Sequence, residues 1–418
     1  MALQAETDRP ACAFLLPLSY YSPEKKSTCT PVEFKMPVCL RKRLLSPVVC
    51  LCAGIALILC AGAAGAGRQS VPPSEQPSLS VQAGQMLMLG FRGLTAESSD
   101  WVLEDIRAGR AGGVILFDYD VQLDRPLRNI KNPDQVKTLI HDLQAAARLP
   151  LLVAVDQEGG RVCRLKPGHG FPDFPGAQEL GSINDPGLTQ VTAHRMGRLL
   201  QELGFNCNLA PVVDVNVNPQ NPAIGKLGRS FSPDPETVVR QARAFITGLQ
   251  AGGVLSCLKH FPGHGSAFND SHLGLTDITH TWEPQELIPY QDLIRSGHAD
   301  LVMTGHLFNA DLDARFPATL SQRVVTGLLR KELGFSGVVI SDDLQMKAIT
   351  AQYDLRETVC RAVNAGVDIL LFGNNLAYDP DIAVKVQDLI LDLVSAGEID
   401  ARALEASFQR IMRVKERL

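Results

Sequence analysis

The segment DPETVVRQARAFITGLQAGGVLSCLKH, residues 234–260, has in order the patterns of a helix, a helix C-terminus and a strand, followed by two ionisable residues. Asp234 and Pro235 are residue types that begin helices. The glycines at 252 and 253 favour the end of the helix that they begin. The next residues are apolar and predict a buried strand. Lys259 and His260 then stand at the end of that strand. This order decides the fold prediction because it recurs along the chain.

The helix–glycine–strand order occurs five times. In each case a helix-like stretch ends at a glycine, and an apolar run follows at once. These runs cover residues 112–117, 204–215, 252–260, 334–343 and 366–374, and three further apolar runs cover 85–91, 151–158 and 301–306. All eight are continuously apolar instead of alternating, which predicts strands covered on both faces, as in a parallel sheet.

The segments between these runs have the pattern of amphipathic helices. In residues 132–150, Asn132 is placed to cap a helix, Pro133 occupies its first turn and Pro150 ends it. Eight strands that alternate with helices predict an α/β protein, a single (β/α)8 barrel of the TIM type. A doubly wound open sheet is the second interpretation, because the pattern by itself does not show that the sheet closes.

The bulk composition is that of a globular protein with a large core. The chain has 418 residues, of which 45% are hydrophobic and 20% charged, and its formal net charge is −5. Proteins that bind nucleic acid usually carry a basic surface, and this chain has a negative net charge. We therefore do not expect nucleic acid as a partner. Four cysteines lie in residues 81–418 without a zinc-like spacing, and we expect them to be small core residues.

The N-terminal region has the pattern of an export signal. An uncharged stretch covers residues 44–67, basic residues 41–43 precede it, and small residues lie near its end. Residues 36–67 therefore predict a signal peptide or an uncleaved membrane anchor. We expect an exported protein that is periplasmic, secreted or membrane-anchored.

The predicted signal begins unusually far from the first residue of the chain. Translation from Met36 would give it the usual length, and residues 1–35 would then be a spurious extension. A lipidated Cys60 is a further interpretation that the preceding leucine disfavours. The Pro- and Ser-rich residues 68–80 predict a linker to one domain that covers residues 81–418.

Ionisable and amide side chains stand where the predicted strands end. In a barrel, catalytic residues lie at the C-terminal ends of strands and in the loops that follow them, so these side chains predict one polar site. The strand-end residues are Asp156, Glu158, Asp214, Lys259, His260, His306, Asp342, Asp343 and Asn374.

Several of these residues have structural explanations as well. Asp214 or Asp343 could simply cap the helix that follows, and His306 could be a hydrogen-bonded core histidine. His260 and His264 have the spacing of helical zinc ligands. The proline and glycines between and after them exclude a helix there, so we expect no metal.

Four motifs occur in order at strand ends: DQEGGRVCRL, GRSF, KHFPGHGSAFNDSH and GVVISDDLQM. Together they resemble the bacterial β-N-acetylglucosaminidases of glycoside hydrolase family 3 over residues 81–418. The chain differs from related enzymes at Cys163, where they often have a polar residue, and in its export segment. The final residues, ASFQRIMRVKERL, have the pattern of a last barrel helix. We therefore do not expect the extra C-terminal domain that many β-glucosidases of the family carry.

The resemblance implies a role for eight residues. Asp342, directly after the serine of ISDD, resembles the family's nucleophile, and its neighbour Asp343 does not. Asp270 and His272 resemble the dyad in which histidine is the general acid and base. The residues that resemble the family's sugar-binding groups are Asp156, Arg164, Arg229, Lys259 and His260.

Elementary chemistry is consistent with these implied roles. Retaining hydrolysis needs a nucleophile on one face of the sugar and a proton donor on the other. An imidazole is a competent acid and base near neutral pH, and a nearby carboxylate can orient it.

The sequence therefore predicts a retaining exo-β-N-acetylglucosaminidase without a metal or cofactor. We expect it to release terminal GlcNAc from muropeptides or chitooligosaccharides, and to be a monomer. A family 3 β-glucosidase, a GlcNAc phosphorylase and a non-catalytic sugar-binding barrel of the cell envelope are the alternatives.

Overall fold

The computed structural model describes residues 77–418. Its largest sheet has eight parallel strands, each a buried apolar segment. Along the chain they are β1 (Leu87–Gly90), β2 (Gly113–Ile115), β3 (Leu152–Val155), β4 (Cys207–Asn208), β5 (Leu255–Phe261), β6 (Leu301–Thr304), β7 (Val338–Ser341) and β8 (Leu370–Phe372). Each of the eight apolar runs of the sequence corresponds to one of them, and only β5 extends past its run, by one residue.

The sheet closes on itself. Strands β1 to β7 are hydrogen-bonded in sequence order, and β8 pairs with β1. On its other edge β8 approaches β7, where the Ser341 amide donates to Ile369 O at 2.9 Å and the Asp368 amide donates to Val339 O at 2.8 Å. The predicted barrel is therefore confirmed, and the open sheet that was its alternative is wrong.

Helices surround the barrel as the sequence pattern predicts. The helices in chain order are α1 (Leu79–Gln85), α2 (Asp100–Arg107), α3 (Pro133–Ala146), α4 (Ala177–Ile183), α5 (Pro186–Leu203), α6 (Pro235–Ala251), α7 (Ile288–Arg295), α8 (Lys347–Thr350), α9 (Leu355–Ala365), α10 (Ile382–Ser395) and α11 (Ala401–Lys415). A π-helical segment, Arg323–Glu332, takes the helix position between β6 and β7.

The predicted helix starts are present. The Asn132 side chain accepts from the Gln135 amide at 2.9 Å at the start of α3, and Asp234 accepts from the Thr237 amide at 3.0 Å at the start of α6. These bonds satisfy amides that a helix N-terminus leaves without intrahelical partners. Short helices and hairpins lengthen the loops at the C-terminal ends of the strands.

The last helix lies below the barrel. Lys415 on α11 is buried and donates to Gln85 Oε1 at 2.6 Å and to Gly112 O at 2.7 Å. These two residues lie within two positions of the starts of β1 and β2. Arg417 pairs with Asp300, which directly precedes β6, at 2.6 Å. The helix that follows β8 is α10, so α11 crosses the N-terminal ends of the strands instead of taking the last barrel position that its sequence pattern predicted.

The N-terminal predictions fall mostly outside the described residues. Residues 1–35, the predicted signal or anchor at 36–67 and most of the linker at 68–80 belong to that part of the chain. The last two linker residues form the start of α1. Within residues 77–418, no helix is long and apolar enough to cross a membrane. The four cysteines of this region are all free, and three of them are buried.

Candidate active site

One cavity of about 350 Å³ lies at the C-terminal ends of the strands. The family resemblance assigns roles to eight residues, and seven of them line this cavity: Asp156, Arg164, Arg229, Lys259, His260, His272 and Asp342. The eighth, Asp270, holds one of these seven by a hydrogen bond. The barrel therefore brings together side chains that are up to 186 positions apart in the sequence.

Asp156, directly after β3, accepts from two cations. Lys259 Nζ lies 2.8 Å from Oδ1, and Arg164 Nη2 lies 3.3 Å from Oδ2. Burial alone would raise the pKa of Asp156, but Lys259 and Arg164 outweigh it and hold the pKa below its usual value. The carboxylate is thus ionised and fixed in orientation, and it keeps lone pairs for the hydroxyl groups of a ligand.

Glu158 is the centre of a second ion-pair group. Arg229 donates to both carboxylate oxygens, at 2.8 Å from Nε and 2.7 Å from Nη2, and Lys259 Nζ lies 2.7 Å from Oε1. Burial favours the neutral acid, but Arg229 and Lys259 lower the pKa of Glu158 to about 2. Lys259 therefore joins the carboxylates of Asp156 and Glu158 into one network. Its own side chain is only 3% exposed, so the network is buried.

His260 is oriented from below by Asp214. Its Nδ1 lies 2.8 Å from Asp214 Oδ2, and its Nε2 lies 3.4 Å from Arg229 Nη2. Asp214 is fully buried and also accepts from the backbone amides of His260 and His264. Asp214 therefore fixes an imidazole of the cavity and does not cap the following helix.

Asp342 follows β7 and forms part of the cavity wall. Its backbone amide donates to Thr304 O at 3.0 Å, and its Oδ1 accepts from the Asp343 amide at 2.8 Å. Burial would raise the pKa of this carboxyl, but the imidazoles of His306 and His260 outweigh it and lower the pKa. The Asp342 carboxylate is thus ionised and held by the next backbone amide, and an ionised carboxylate is the state that a nucleophile requires.

Asp343 has a different environment from its neighbour. It accepts from the amides of Gln345 and Gly373, each at 3.0 Å, and so joins the loop after β7 to the end of β8. Burial raises its pKa to about 6. Asp343 does not cap α8, whose first-turn cap position is Met346.

Asp270 and His272 lie on the loop that follows β5. His272 Nδ1 lies 2.7 Å from Asp270 Oδ1, and this bond raises the pKa of His272 and lowers that of Asp270 to about 2. The His272 side chain is 54% exposed. Since Nδ1 is bonded to Asp270, Nε2 is the ring nitrogen that can exchange a proton with a ligand in the cavity.

The comparisons with known proteins agree with this geometry. Residues 78–414 match the model of the glycosyl hydrolase family 3 N terminal domain. The chain belongs to glycosyl hydrolase family 3. It is 35% identical to "Beta-hexosaminidase A" of Pseudoalteromonas piscicida, over 81% of this chain and 61% of that protein. It is 36% identical to "Beta-hexosaminidase" of Stenotrophomonas maltophilia, over 68% of this chain and 82% of that protein.

Solved structures give the same result. A family 3 β-N-acetylglucosaminidase from Paenibacillus sp. str. FPU-7 has a TM-score of 0.75 and 37% identity, over 82% of this chain and 63% of that one. A β-N-acetylhexosaminidase from Beutenbergia cavernae has a TM-score of 0.73 and 32% identity, over 82% and 99%. The chain spans less than two thirds of the Pseudoalteromonas and Paenibacillus proteins. The predicted family is confirmed, and the predicted enzyme type agrees with these names.

Glu158 is a residue of this family 3 site that the resemblance does not include among the sugar-binding groups. The sequence places it only at the end of a predicted strand. The local sequence shows a carboxylate, and its motif DQEGGR contains an arginine close by. Its true partner, Arg229, is 71 positions away, and that pairing is visible only in the folded barrel.

Asp118 was not singled out either. It follows β2, lines the cavity and is buried, and its Oδ2 lies 2.5 Å from Lys166 Nζ. Arg164 lies 3.9 Å from its other oxygen, so Arg164 stands between Asp118 and Asp156. Asp118 directly follows the apolar run 112–117, so the strand-end rule could have found it.

Two further histidines are structural neighbours of the site. His306 is buried and bonded to Thr319 and to the Asp343 carbonyl, each at 2.9 Å, which agrees with its interpretation as a hydrogen-bonded core residue. His264 is buried against Ser271, and burial lowers its pKa to about 4. Among residues 77–418, no group of three or more His, Cys, Asp or Glu is arranged to hold a metal ion.

Proposed function

We propose that the protein is a retaining exo-β-N-acetylglucosaminidase that removes terminal GlcNAc from an amino-sugar oligosaccharide. The observation that carries the proposal is the shared cavity, whose wall contains both the Asp342 carboxylate and the His272 imidazole. A nucleophile and a proton donor at one sugar-sized site are the two groups that retaining hydrolysis requires. The β-hexosaminidase names of the relatives support the same activity.

In this proposal Asp342 attacks the anomeric carbon and forms a covalent glycosyl-enzyme. His272 donates its Nε2 proton to the leaving oxygen, and Asp270 stabilises the imidazolium state before that transfer. In the second half of the reaction the neutral His272 accepts a proton from water as that water attacks the anomeric carbon. The carboxylate of Asp342 is then released, so protons and bonds balance over one cycle.

The buried ion-pair network holds the terminal sugar in the proposal. Asp156 accepts from sugar hydroxyls, whereas Lys259, Arg164, Arg229 and His260 donate to them. Because these groups are already paired and oriented, little conformational entropy is lost when the sugar binds. A cavity of about 350 Å³ suits one sugar residue and an exo mode of attack.

Hydrolysis of aryl glycosides tests the proposal directly. We expect rapid turnover of an aryl β-N-acetylglucosaminide, slow turnover of the matching aryl glucoside, and no loss of activity with a chelator. Preference for the glucoside would favour the β-glucosidase alternative. Release of GlcNAc 1-phosphate in phosphate buffer would favour the phosphorylase, and activity on neither glycoside would favour a sugar-binding barrel.

We further propose that the substrate is a muropeptide or a chitooligosaccharide and that the enzyme is an exported monomer. The uncharged stretch at residues 44–67 supports export. Cell fractionation of the full chain tests the location, and light scattering of the purified protein tests the monomer. Activity found only in the cytoplasmic fraction would contradict export.

A further inference from the structure

His264 is joined to both parts of the candidate site without lining its cavity. It is 3% exposed, and the cavity wall contains His260 and His272 but not His264. The His264 backbone amide donates to Asp214 Oδ1 at 2.8 Å, and Asp214 is the carboxylate that orients His260. The Nε2 atom of His264 lies 3.4 Å from Ser271 Oγ, and Ser271 directly precedes His272. His264 therefore connects the sugar-binding residues to the general acid.

The backbone around His264 is fixed on the side of the sugar-binding residues. His264 O accepts from Asn221 Nδ2 at 2.6 Å, so both backbone polar groups of His264 are bonded. Gly263 before it has a φ of +121°, which favours glycine. Gly265 after it packs so closely on Val215 O that no side chain fits between them. The His264 ring thus extends from a rigid backbone and can serve as a fixed point for the loop that follows.

Ser271 is the residue by which that loop is held. In residues 268–275, here called the acid–base loop, Ser271 is the one buried residue, and the next residue, His272, is exposed. The Ser271 hydroxyl faces His264, and the Ser271 carbonyl accepts from the Ala348 amide at 3.3 Å. Ala348 lies on α8, six positions after Asp342. One residue therefore ties the acid–base loop both to His264 and to the segment that follows the nucleophile.

The His264 ring is neutral near pH 7, so it holds the loop and does not replace His272 as an acid. Burial and the neighbouring His260 lower the pKa of His264 to about 4. A neutral imidazole and a hydroxyl can each donate or accept, so Nε2 and Ser271 Oγ can bond in either tautomer of the ring.

The other nitrogen of His264 shows that this side chain does not serve stability alone. Among residues 77–418, Nδ1 is buried and has no hydrogen-bond partner. A buried polar atom without a partner costs about 1–3 kcal/mol, so an apolar side chain would stabilise this position better. The histidine is explained by what its Nε2 holds, which is Ser271.

We infer that His264 and Ser271 are positioning residues that place the His272 imidazole in the cavity that it shares with Asp342. The inference rests on the proposed function, in which His272 acts in both halves of the reaction. Neither positioning residue lines the cavity, so they act through His272 and not on the sugar. A misplacement of about 1 Å can lower a rate roughly 10²-fold. Loss of this anchor should therefore slow turnover while the sugar-binding groups keep their partners.

The experiment removes the contact from each side. Ser271→Ala deletes the hydroxyl and His264→Leu deletes the ring nitrogens, whereas His264→Gln keeps an amide that can reach the position of Nε2. All three variants leave the backbone bonds of His264 in place. The matched control is Ser407→Ala on α11, because Ser407 is also 3% exposed and donates a buried hydrogen bond to Asp368 Oδ1 at 2.8 Å.

We expect Ser271→Ala and His264→Leu to lower kcat/KM for di-N-acetylchitobiose by about tenfold, and His264→Gln to stay within about threefold of wild type. The dissociation constant of GlcNAc, measured by calorimetry, should change by less than about twofold, because the sugar-binding groups remain oriented. Ser407→Ala should lose stability without losing turnover.

The decisive readout combines Ser271→Ala with His272→Ala. If Ser271 acts through His272, the double variant should have the same kcat/KM as His272→Ala alone. A further fall of about tenfold in the double variant would show that Ser271 only supports the folded structure, and the inference would be wrong.

Two other results would also contradict the inference. One is wild-type kcat/KM in both Ser271→Ala and His264→Leu, and the other is an equal loss of turnover in Ser407→Ala. If the wild-type protein hydrolyses no β-N-acetylglucosaminide, the proposed function itself fails, and the inference fails with it. An active wild type with unaffected variants overturns the inference alone, so the two failures are distinguishable.

Discussion

Two parts of the candidate site differ in almost every physical respect. The floor of the cavity consists of Asp156, Glu158, Arg229 and Lys259, whose side chains are 3–16% exposed and joined by ion pairs. The acid–base loop carries Asp270 and His272, a single pair whose imidazole is about half exposed. The floor is joined across three strand ends, whereas the pair on the loop is two positions apart in sequence.

The difference follows from what each part has to do. Gripping a sugar requires donors and acceptors that are already oriented, and buried ion pairs provide this because removing one partner leaves a costly unpaired charge. Transferring a proton to a leaving group and then from water requires access from outside. We therefore expect floor variants to change stability and binding together, and loop variants to change turnover alone.

The largest expected effect concerns Asp342, which should differ from the floor residues because it affects turnover and not binding. Asp342→Ala should lower kcat for every substrate by roughly 10⁴-fold or more, because no other group can form the glycosyl-enzyme. Binding of GlcNAc, measured by calorimetry, should remain, since the network that holds the sugar is intact. Retention of most of the activity would remove Asp342 as the nucleophile.

His272→Ala tests the loop side of the comparison. We expect kcat/KM for a disaccharide to fall by about 10³-fold, and that for an activated aryl substrate to fall less, because a good leaving group needs no proton. The free energy of unfolding should stay within about 0.5 kcal/mol of wild type, as for other exposed positions. An equal loss on both substrates would assign His272 a role other than proton transfer to the leaving group.

Glu158→Gln tests whether the floor behaves as a buried charge network. Loss of this carboxylate leaves Arg229 and Lys259 with too little negative charge, so the free energy of unfolding should fall by about 3 kcal/mol. The KM for sugar substrates should rise as well, because both cations would reorient. Chemical denaturation measures the effect, with the exposed Glu179→Gln as the matched control. A Glu158 variant as stable as this control would contradict the distinction between floor and loop.

The smallest effect concerns pH. The bond to Asp270 raises the pKa of His272. In the wild-type protein the protonated imidazole therefore persists to higher pH than that of a free histidine. Asp270→Asn removes that charge and should move the alkaline limb of the kcat/KM profile to lower pH, with about tenfold lower activity at its maximum. A limb that does not move would show that another group sets it.

Much of the fold was available from the sequence. Seven of the eight strands lie inside the predicted apolar runs, and β5 extends one residue past its run, to Phe261. The caps at Asn132 and Asp234 lie where predicted. These signals are local, because helix and strand periodicity and capping involve residues a few positions apart. The strand-end rule predicted one site that contains Asp156, Lys259, His260 and Asp342, and all four line one cavity. The roles of Arg164, Arg229 and His272, which line the same cavity, were implied by the family resemblance.

The contacts that distinguish the floor from the acid–base loop could not be predicted from the sequence. The sequence determined the eight strands, the family resemblance and the candidate residues, because these follow from local patterns and short motifs. Only the tertiary structure decided that Glu158 pairs with Arg229, that Asp214 orients His260, and that α11 lies under the barrel. Such contacts join residues 46 to 330 positions apart. They depend on closure of the barrel, which no local pattern encodes.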